Sequence, residues 1–465
     1  MAFINRLNEL DYLNKKYRTR GSQLIVIYGK RRVGKTELAK KFAADKPHIY
    51  FMADRASELD QLRQVSERIG DFYHDGFISE RGFANWYQVF DYLAAKRERL
   101  LFIVDEFPYL ASANPAVSSV FQKGWDEKLK STNIYLILMG SSIAMMESEV
   151  LAAKAPLYGR RTGQLLIEPM RFNHAKEFFP KKPLNEQFEF YSVLGGVPAY
   201  LLHFDPKKSL VANIRNRIIS KGEVLYEEPE FILKEELREP RSYFSILRAI
   251  SLGKTKLGEI MNETGFAKNV LIKYLSVLIG LGIVVREVPV TEKQPAKSKR
   301  GIYKITDPFF KFWFEYVFAN RSYIEEDRQD YVLGKIRASF NRHASGVYEQ
   351  EAAIWLREHL VSSHPKLEII KTGRWWSKSS EIDVVGLSED GGAAVFAEAK
   401  WTSKPVGKNI LEDLFKKVEI FEAEQGEAKV KRYALFSRNG FTDNLKELAR
   451  ERKDIILFEG CTPLF

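Results

Sequence analysis

Cysteine is nearly absent. Cys461 is the sole one in 465 residues, which excludes an internal disulfide framework. Histidine is scarce too: the seven copies are scattered, with no paired spacing of the zinc-binding kind. No apolar run approaches the ~20 residues needed to cross a bilayer, and the opening MAFINRLNEL carries no apolar signal core. The expectation is a cytoplasmic protein without a membrane partner. Long low-complexity tracts and internal repeats are missing as well. What is present is ordinary for a globular chain of several domains, with 45% hydrophobic and 29% charged residues. The net charge is +11, an excess that favours acidic partners, with DNA as the first candidate.

The densest information lies at 24–36, LIVIYGKRRVGKT. An apolar run ends at Gly29, four residues follow, and then come Gly34, Lys35 and Thr36 before a helical pattern, ELAKKFA. Strand, glycine loop and helix start stand in the order a phosphate-binding loop requires. Glycine lets backbone N–H groups turn toward phosphate oxygens, and the helix N-terminus adds partial positive charge. Gly29, Lys30, Arg31, Arg32, Val33, Gly34, Lys35, Thr36 and Glu37 are therefore the candidate contacts of a nucleotide, expected to be ATP. Lys35 would reach the β- and γ-phosphates, and the Thr36 hydroxyl would ligate Mg2+. A second apolar run, LLFIVDE at 100–106, reads as a buried parallel strand ending in two acids. Asp105 would hold the magnesium, and Glu106 would activate the attacking water.

Residues 1–168 alternate apolar runs with helical patterns, which predicts an α/β fold with a parallel sheet and strands at 24–28, 48–52, 100–104, 134–139 and 164–167. A mostly helical lid is expected over 169–238. A winged helix-turn-helix is expected over 239–306, with helices at 242–253, 257–264 and 268–282, and strands at 283–290 and 302–306. Its wing carries Lys293, Lys297, Lys299, Arg300 and Lys304 without an acid among them, and its third helix carries Lys268, Asn269 and Lys273. These residues could meet DNA phosphates and a groove; packing against protein is the alternative. An aromatic connector follows over 307–340. Phe310, Trp313, Phe314 and Val317 share one helical face there, which points to a buried helix rather than a platform for bases.

A last domain, 341–465, is expected to be α/β. Asp383 falls on one expected strand, and Glu398 and Lys400 fall on the next, two residues apart and hence on one face. Asp383 and Glu398 could share Mg2+ or Mn2+, with Glu349 completing the shell from a helix over 345–360 and Lys400 orienting water. Trp375 and Trp376 are candidates for stacking or core packing. Lys416 and Lys417 are candidates for phosphate contact or a solvated face.

Together these residues resemble the archaeal-type DEXX-box ATPases of the AAA+/STAND group of P-loop ATPases, with a C-terminal domain similar to PD-(D/E)XK restriction-endonuclease-like nucleases. FINRLNELDYL at 3–13 is similar to the N-terminal box of that family, which implies that Phe3, Ile4 and Arg6 lie near the nucleotide base. ILMGSS at 137–142 resembles the sensor strand, implying Ser141 or Ser142 near the γ-phosphate. PLYGRRTG at 156–163 implies Arg160 or Arg161 as an arginine finger, in cis or from a neighbouring subunit, which makes a homo-oligomer or protein partner a further candidate. GGVPAYL implies Pro198 near the adenine. One departure stands out: Ile382 occupies the place of the proline expected before Asp383. The resemblance implies an ATPase whose nucleotide state controls a metal-dependent DNA-cleaving domain. The alternative is an ATP-driven switch that binds DNA or a partner protein without cutting.

Overall fold

A computed structural model describes residues 3–237 and 239–464. The chain forms two compact units. One comprises the residues through Met170 plus Val197–Ala199; the other comprises Arg171–Gly196 and the residues from Tyr200 on.

The first unit is built on five parallel strands: β1 (Gln23–Tyr28), β2 (His48–Met52), β3 (Leu101–Asp105), β4 (Tyr135–Gly140) and β5 (Gly163–Leu166). Every expected strand is present, displaced by at most one residue at either end. Their order is β2-β3-β4-β1-β5, so β4 separates the strand that feeds the glycine loop from the strand that ends in the two acids. β3 and β4 are buried along their whole length, which is why they read as unbroken apolar runs rather than alternations. Core residues pack on both faces of the sheet, with Phe51, Trp86, Phe90 and Phe121 on one side and Leu13, Leu38 and Phe42 on the other.

The second unit begins with helices, then three helices at Pro240–Ser251, Leu257–Thr264 and Lys268–Gly280 followed by the antiparallel pair β6 (Val284–Glu287) and β7 (Ile302–Ile305). The first strand of that pair ends earlier than the expected 290, because Pro289 has no N–H to give a ladder. The aromatic connector is not one regular helix. It passes from α-helix (Pro308–Phe312) to π-helix (Trp313–Val317) to 3-10 helix (Phe318–Asn320). Phe310, Trp313, Phe314 and Val317 are all buried, so they are core and not a base platform. The helix expected over 345–360 is the end of a 35-residue helix, Gln329–Ser363, that runs unbroken through 340/341. Its apolar periodicity is weak in the first half, which hides its start from sequence.

A six-stranded mixed sheet follows, ordered β13-β12-β11-β10-β9-β8: β8 (Ile369–Trp376), β9 (Glu381–Ser388), β10 (Ala393–Lys400), β11 (Val430–Ser437), β12 (Ile455–Glu459) and β13 (Thr462–Pro463). Helix Lys408–Gln425 packs its Leu411, Leu414, Val418 and Phe421 onto the sheet. Trp375 is fully buried against Phe421, so its stacking on a ligand is ruled out.

Candidate functional sites

The amino-terminal site assembles at the carboxyl ends of β1, β3 and β4. Gly29 leaves β1 with φ of 151°, and a Cβ there would lie 2.3 Å from the Ile167 carbonyl oxygen, so only glycine fits this approach to the neighbouring strand end. Gly34 caps the next helix in the left-handed region, φ 94°, and Arg32 also sits there at φ 65°. The helix then begins at Lys35. Lys35 is 5% exposed and donates from Nζ to the carbonyls of Gly29 and Lys30 at 2.9 Å each. The ammonium is thus held inside the loop it would serve.

Thr36 donates its hydroxyl to Asp105 Oδ2 at 2.8 Å. Tyr50 donates to the same oxygen, and the Glu106 N–H donates to Asp105 Oδ1 at 2.9 Å. Burial first, then the Asp105 bond, raises the Tyr50 phenol far above its ordinary value, so it stays a neutral donor. A hydroxyl beside a pinned carboxylate is an all-oxygen, hard-donor pair of the kind Mg2+ takes. Glu106 has φ of 54°, an uncommon conformation for a side chain of its size. It aims the carboxylate at β4, where the Ser141 hydroxyl donates to Oε1 and the Ser141 N–H donates to Oε2 at 3.2 Å. Ser142 is the next residue, at the N-cap of the short helix that follows.

Arg6 and the loop are joined directly. The Arg6 guanidinium is buried, pairs with Glu9 at 2.9 Å, and donates to the carbonyls of Val33 at 3.1 Å and Glu168 at 2.6 Å. Phe3 packs on the core beside it, and Ile4 is half-buried. Pro198 lies in the same unit, its Cγ 4.0 Å from where a Gly34 Cβ would stand. Glu37 points outward, 70% exposed and 3.7 Å from Lys40. The two arginines part company. Arg160 pairs with Asp126 at 3.1 Å. Arg161 bonds the Leu151 carbonyl at 3.3 Å, lies over the Tyr158 ring, and is electrostatically coupled to Tyr28, the residue before Gly29. Sequence reasoning missed Tyr50, which no motif marks.

The carboxy-terminal site lies where β9 and β10 meet helix Lys408–Gln425. Glu398 is 2% exposed at its side chain and accepts from both sides, from Lys400 Nζ at 2.5 Å and from Lys417 Nζ at 2.6 Å. Asp383 accepts from the Ala399 N–H at 3.0 Å, with Lys400 at 3.9 Å. Burial, then the charges of Glu398 and Glu349, pushes Asp383 up to about 7. Lys400 is raised instead: burial alone would lower it, but Glu398 and Asp383 outweigh that. Glu349 acts on this cluster through space and accepts a 3.4 Å bond from Ser345. Among the described residues no group of three His, Cys, Asp or Glu side chains is arranged to hold a metal ion. The expected ligand Glu398 is instead sandwiched between two ammonium groups.

Glu398, Lys400 and Lys417 open onto a cleft of about 950 Å³, lined also by Lys256, Arg374, Lys378 and Lys416, with Glu381 and Asp413 as its other acids. Trp376 also lines it. Arg374 escaped the sequence reading; its only signal was a place next to the two tryptophans. On the expected wing, Lys293, Lys297 and Lys299 are exposed, as are Lys268, Asn269 and Lys273. Lys304 is committed elsewhere, paired with Glu287 at 2.6 Å, and Arg300 lies 3.5 Å from Glu292. Glu292, just outside the acid-free stretch, is what that count overlooked.

Comparison with known proteins agrees with this geometry. Residues 3–204 match a family described as an ATPase domain predominantly from Archaea, and residues 313–413 match archaeal and bacterial proteins of unknown function. Protein MJECL04 of Methanocaldococcus jannaschii is 36% identical over 98% of this chain and 99% of its own. The ATP-binding protein MJ0423 of the same organism is 50% identical over 10% of this chain and 78% of its own. A Walker-type ATPase of Pyrococcus abyssi shares the fold, with TM-score 0.51 and 22% identity over 67% of this chain and 96% of that one. With a buried lysine in a glycine loop, a threonine–aspartate pair and a glutamate held on the neighbouring strand, the chain belongs to the archaeal-type P-loop ATPases.

Proposed function

We propose that the ATPase's nucleotide state controls a carboxy-terminal domain that engages DNA and cuts it with the help of a divalent metal. The finer assignments at the ATP site are part of the proposal: Lys35 on the phosphates, Thr36 and Asp105 on Mg2+, Glu106 as general base, Ser141 as its holder, and Arg161 rather than Arg160 as a cis arginine. Phe3, Ile4, Arg6 and Pro198 would border the nucleotide. The domain division carries over except at 340/341, which falls inside helix Gln329–Ser363, with the three helices and the β6–β7 pair as a winged helix whose exposed lysines meet phosphate.

The observation that carries the nuclease reading is the buried Glu398 with Lys400 at the wall of a cleft with six cations, and Asp383 next to Lys400 on the adjoining strand. A carboxylate cluster withdrawn from solvent has a large desolvation cost and calls for a function. A cation-rich rim suits a polyanion. Asp383 and Glu398, with Glu349, would hold Mg2+ or Mn2+, which would neutralise charge at a phosphodiester. In the present arrangement the Glu398 oxygens are taken by Lys400 and Lys417, so the fit requires those lysines to turn to the DNA. That same observation favours a second reading, a switch that binds DNA or a partner protein without cutting.

The deciding experiment incubates wild type and Asp383→Ala with linear, nicked and branched DNA, with each metal and with or without ATP. Metal-dependent cleavage lost in the variant supports the first reading. Identical, negligible cleavage by both proteins, with ATP-dependent DNA affinity retained, selects the second.

A further inference from the structure

A second cavity adjoins the carboxylate cleft. It measures about 280 Å³ and is more enclosed; Lys304, Lys311, Arg342, His343, Glu349 and Arg374 are among its walls. Arg374 and Thr255 line both spaces. Its four cations face two carboxylates, Glu315 and Glu349, so the chamber keeps an excess of positive charge.

Most of those cations are committed. Lys304 pairs with Glu287 at 2.6 Å, Arg342 with Glu315 at 3.0 Å, and Arg374 with Glu381 at 3.0 Å. His343 is fully buried between Glu315 at 3.4 Å and the Ser192 carbonyl at 2.8 Å. Lys311 is the exception. Among the described residues no carboxylate stands within ion-pair distance of it, and its Nζ lies beside Gly346, 3.1 Å from where a Cβ would be. Burial lowers its affinity for the proton more than Glu315 and Glu349 raise it. Arg374 adds a buried Nε with no hydrogen-bond partner. A half-buried ammonium and an unmatched guanidinium N–H in one small space carry a desolvation cost that an anion would relieve.

Size and charge narrow the anion. The chamber is at the small end of ligand sites and accommodates a phosphate with a sugar-sized attachment. A phosphate monoester is a near-dianion at neutral pH, whereas an internal phosphodiester carries one charge and needs room for chain on both sides. Guanidinium and ammonium groups together are the usual recognition chemistry for such a group.

We propose that this chamber binds a phosphate monoester between Lys311 and Arg374, presented either by the phosphorylated end of a nucleic-acid strand lying in the cleft or by a free mononucleotide. The strand-end source rests on the nucleic-acid reading above; the mononucleotide source does not. The test uses the full chain without divalent metal. Short strands ending in phosphate are compared with the same strands ending in hydroxyl, and AMP with adenosine, for wild type, Lys311→Met and Lys311→Arg.

Phosphorylation should tighten binding about tenfold in wild type. Lys311→Met should erase that gain, Lys311→Arg should restore most of it, and ATP turnover should stay unchanged. A gain confined to strands identifies the strand end; a gain confined to AMP identifies the free ligand. Absence of all strand binding would count against the nucleic-acid reading and leave AMP to decide. The proposal is overturned if no phosphorylated probe gains more than about twofold in wild type, a measurement that needs no variant to fold. It is equally overturned if the gain survives Lys311→Met.

Discussion

The two sites use opposite materials. At the amino-terminal site the polar groups are arranged by backbone: Gly29 and Gly34 set the turn, Glu106 stands at a left-handed residue, and Lys35 is held by two carbonyls. At the carboxy-terminal site the arrangement is made of side-chain charges that restrain one another, with Glu398 between Lys400 and Lys417. The first needs a contiguous stretch of chain and leaves a signature in it. The second draws Asp383, Glu398 and Lys417 from separate elements and leaves only a loose spacing of charges on strands and a helix. A site of the first kind is ready before its ligand arrives; one of the second kind must be rearranged by it.

The contrast can be broken most sharply at Glu106. Glu106→Gln should keep ATP binding and lower turnover by about two to four orders of magnitude, read by binding and steady-state kinetics on one preparation. Turnover within about threefold of wild type would strip the prearranged site of its base. Arg6→Ala probes the scaffold behind the loop. It removes the bonds to the Val33 and Glu168 carbonyls, and should destabilise the amino-terminal unit by about 2 kcal/mol and weaken ATP binding. Full ATP affinity in that variant would mean the loop keeps its shape unaided.

Asp383 sharpens the other half. Its folded-state value, about 7, is raised above the ~3.9 of an unfolded chain. Protonated Asp383 therefore contributes stability that is fully present below about pH 4 and lost as pH climbs through about 7. Relative to Asp383→Asn, wild type should lose on the order of 2 kcal/mol across that window, measured by denaturant unfolding at stepped pH. A pH-independent gap between the two would show that the carboxylate cluster is not under charge tension. The smallest effect concerns the wing. Reversing Lys297 and Lys299 should lower the salt slope of DNA binding by about one for each phosphate that is no longer neutralised, and an unchanged slope removes the wing from the interface.

Legibility in the sequence follows the same division. The parallel strands were readable to within a residue because buried strands such as Leu101–Asp105 are uninterrupted apolar runs. Thr36, Asp105 and Glu106 were readable because their spacing is local to strand ends. Tyr50 was not, since its hydroxyl meets Asp105 only through the pairing of β2 with β3. Lys417 was visible as a basic residue on a helix, but its bond to Glu398 depends on how that helix lies across β10. Arg374 and Lys311 were hidden more deeply: each is a lone cation in an aromatic stretch, and only packing shows that their heads share a chamber wall. The long helix is legible only in its last half, where Val347, Tyr348, Trp355 and Leu356 give a clean apolar stripe.

That helix has a mechanical consequence. An α-helix resists compression along its axis, and the 20 steps from Gln329 to Glu349 span about 30 Å at 1.5 Å each. Gln329 is tethered to the Ile219 carbonyl at 3.0 Å, near the rod's outer end, while Arg342, His343 and Glu349 ride further along it. By that stiffness a shift of an ångström at the tether would reach Glu349, whose charge acts on Asp383, almost undiminished, as a pushrod delivers the motion of a cam to a valve.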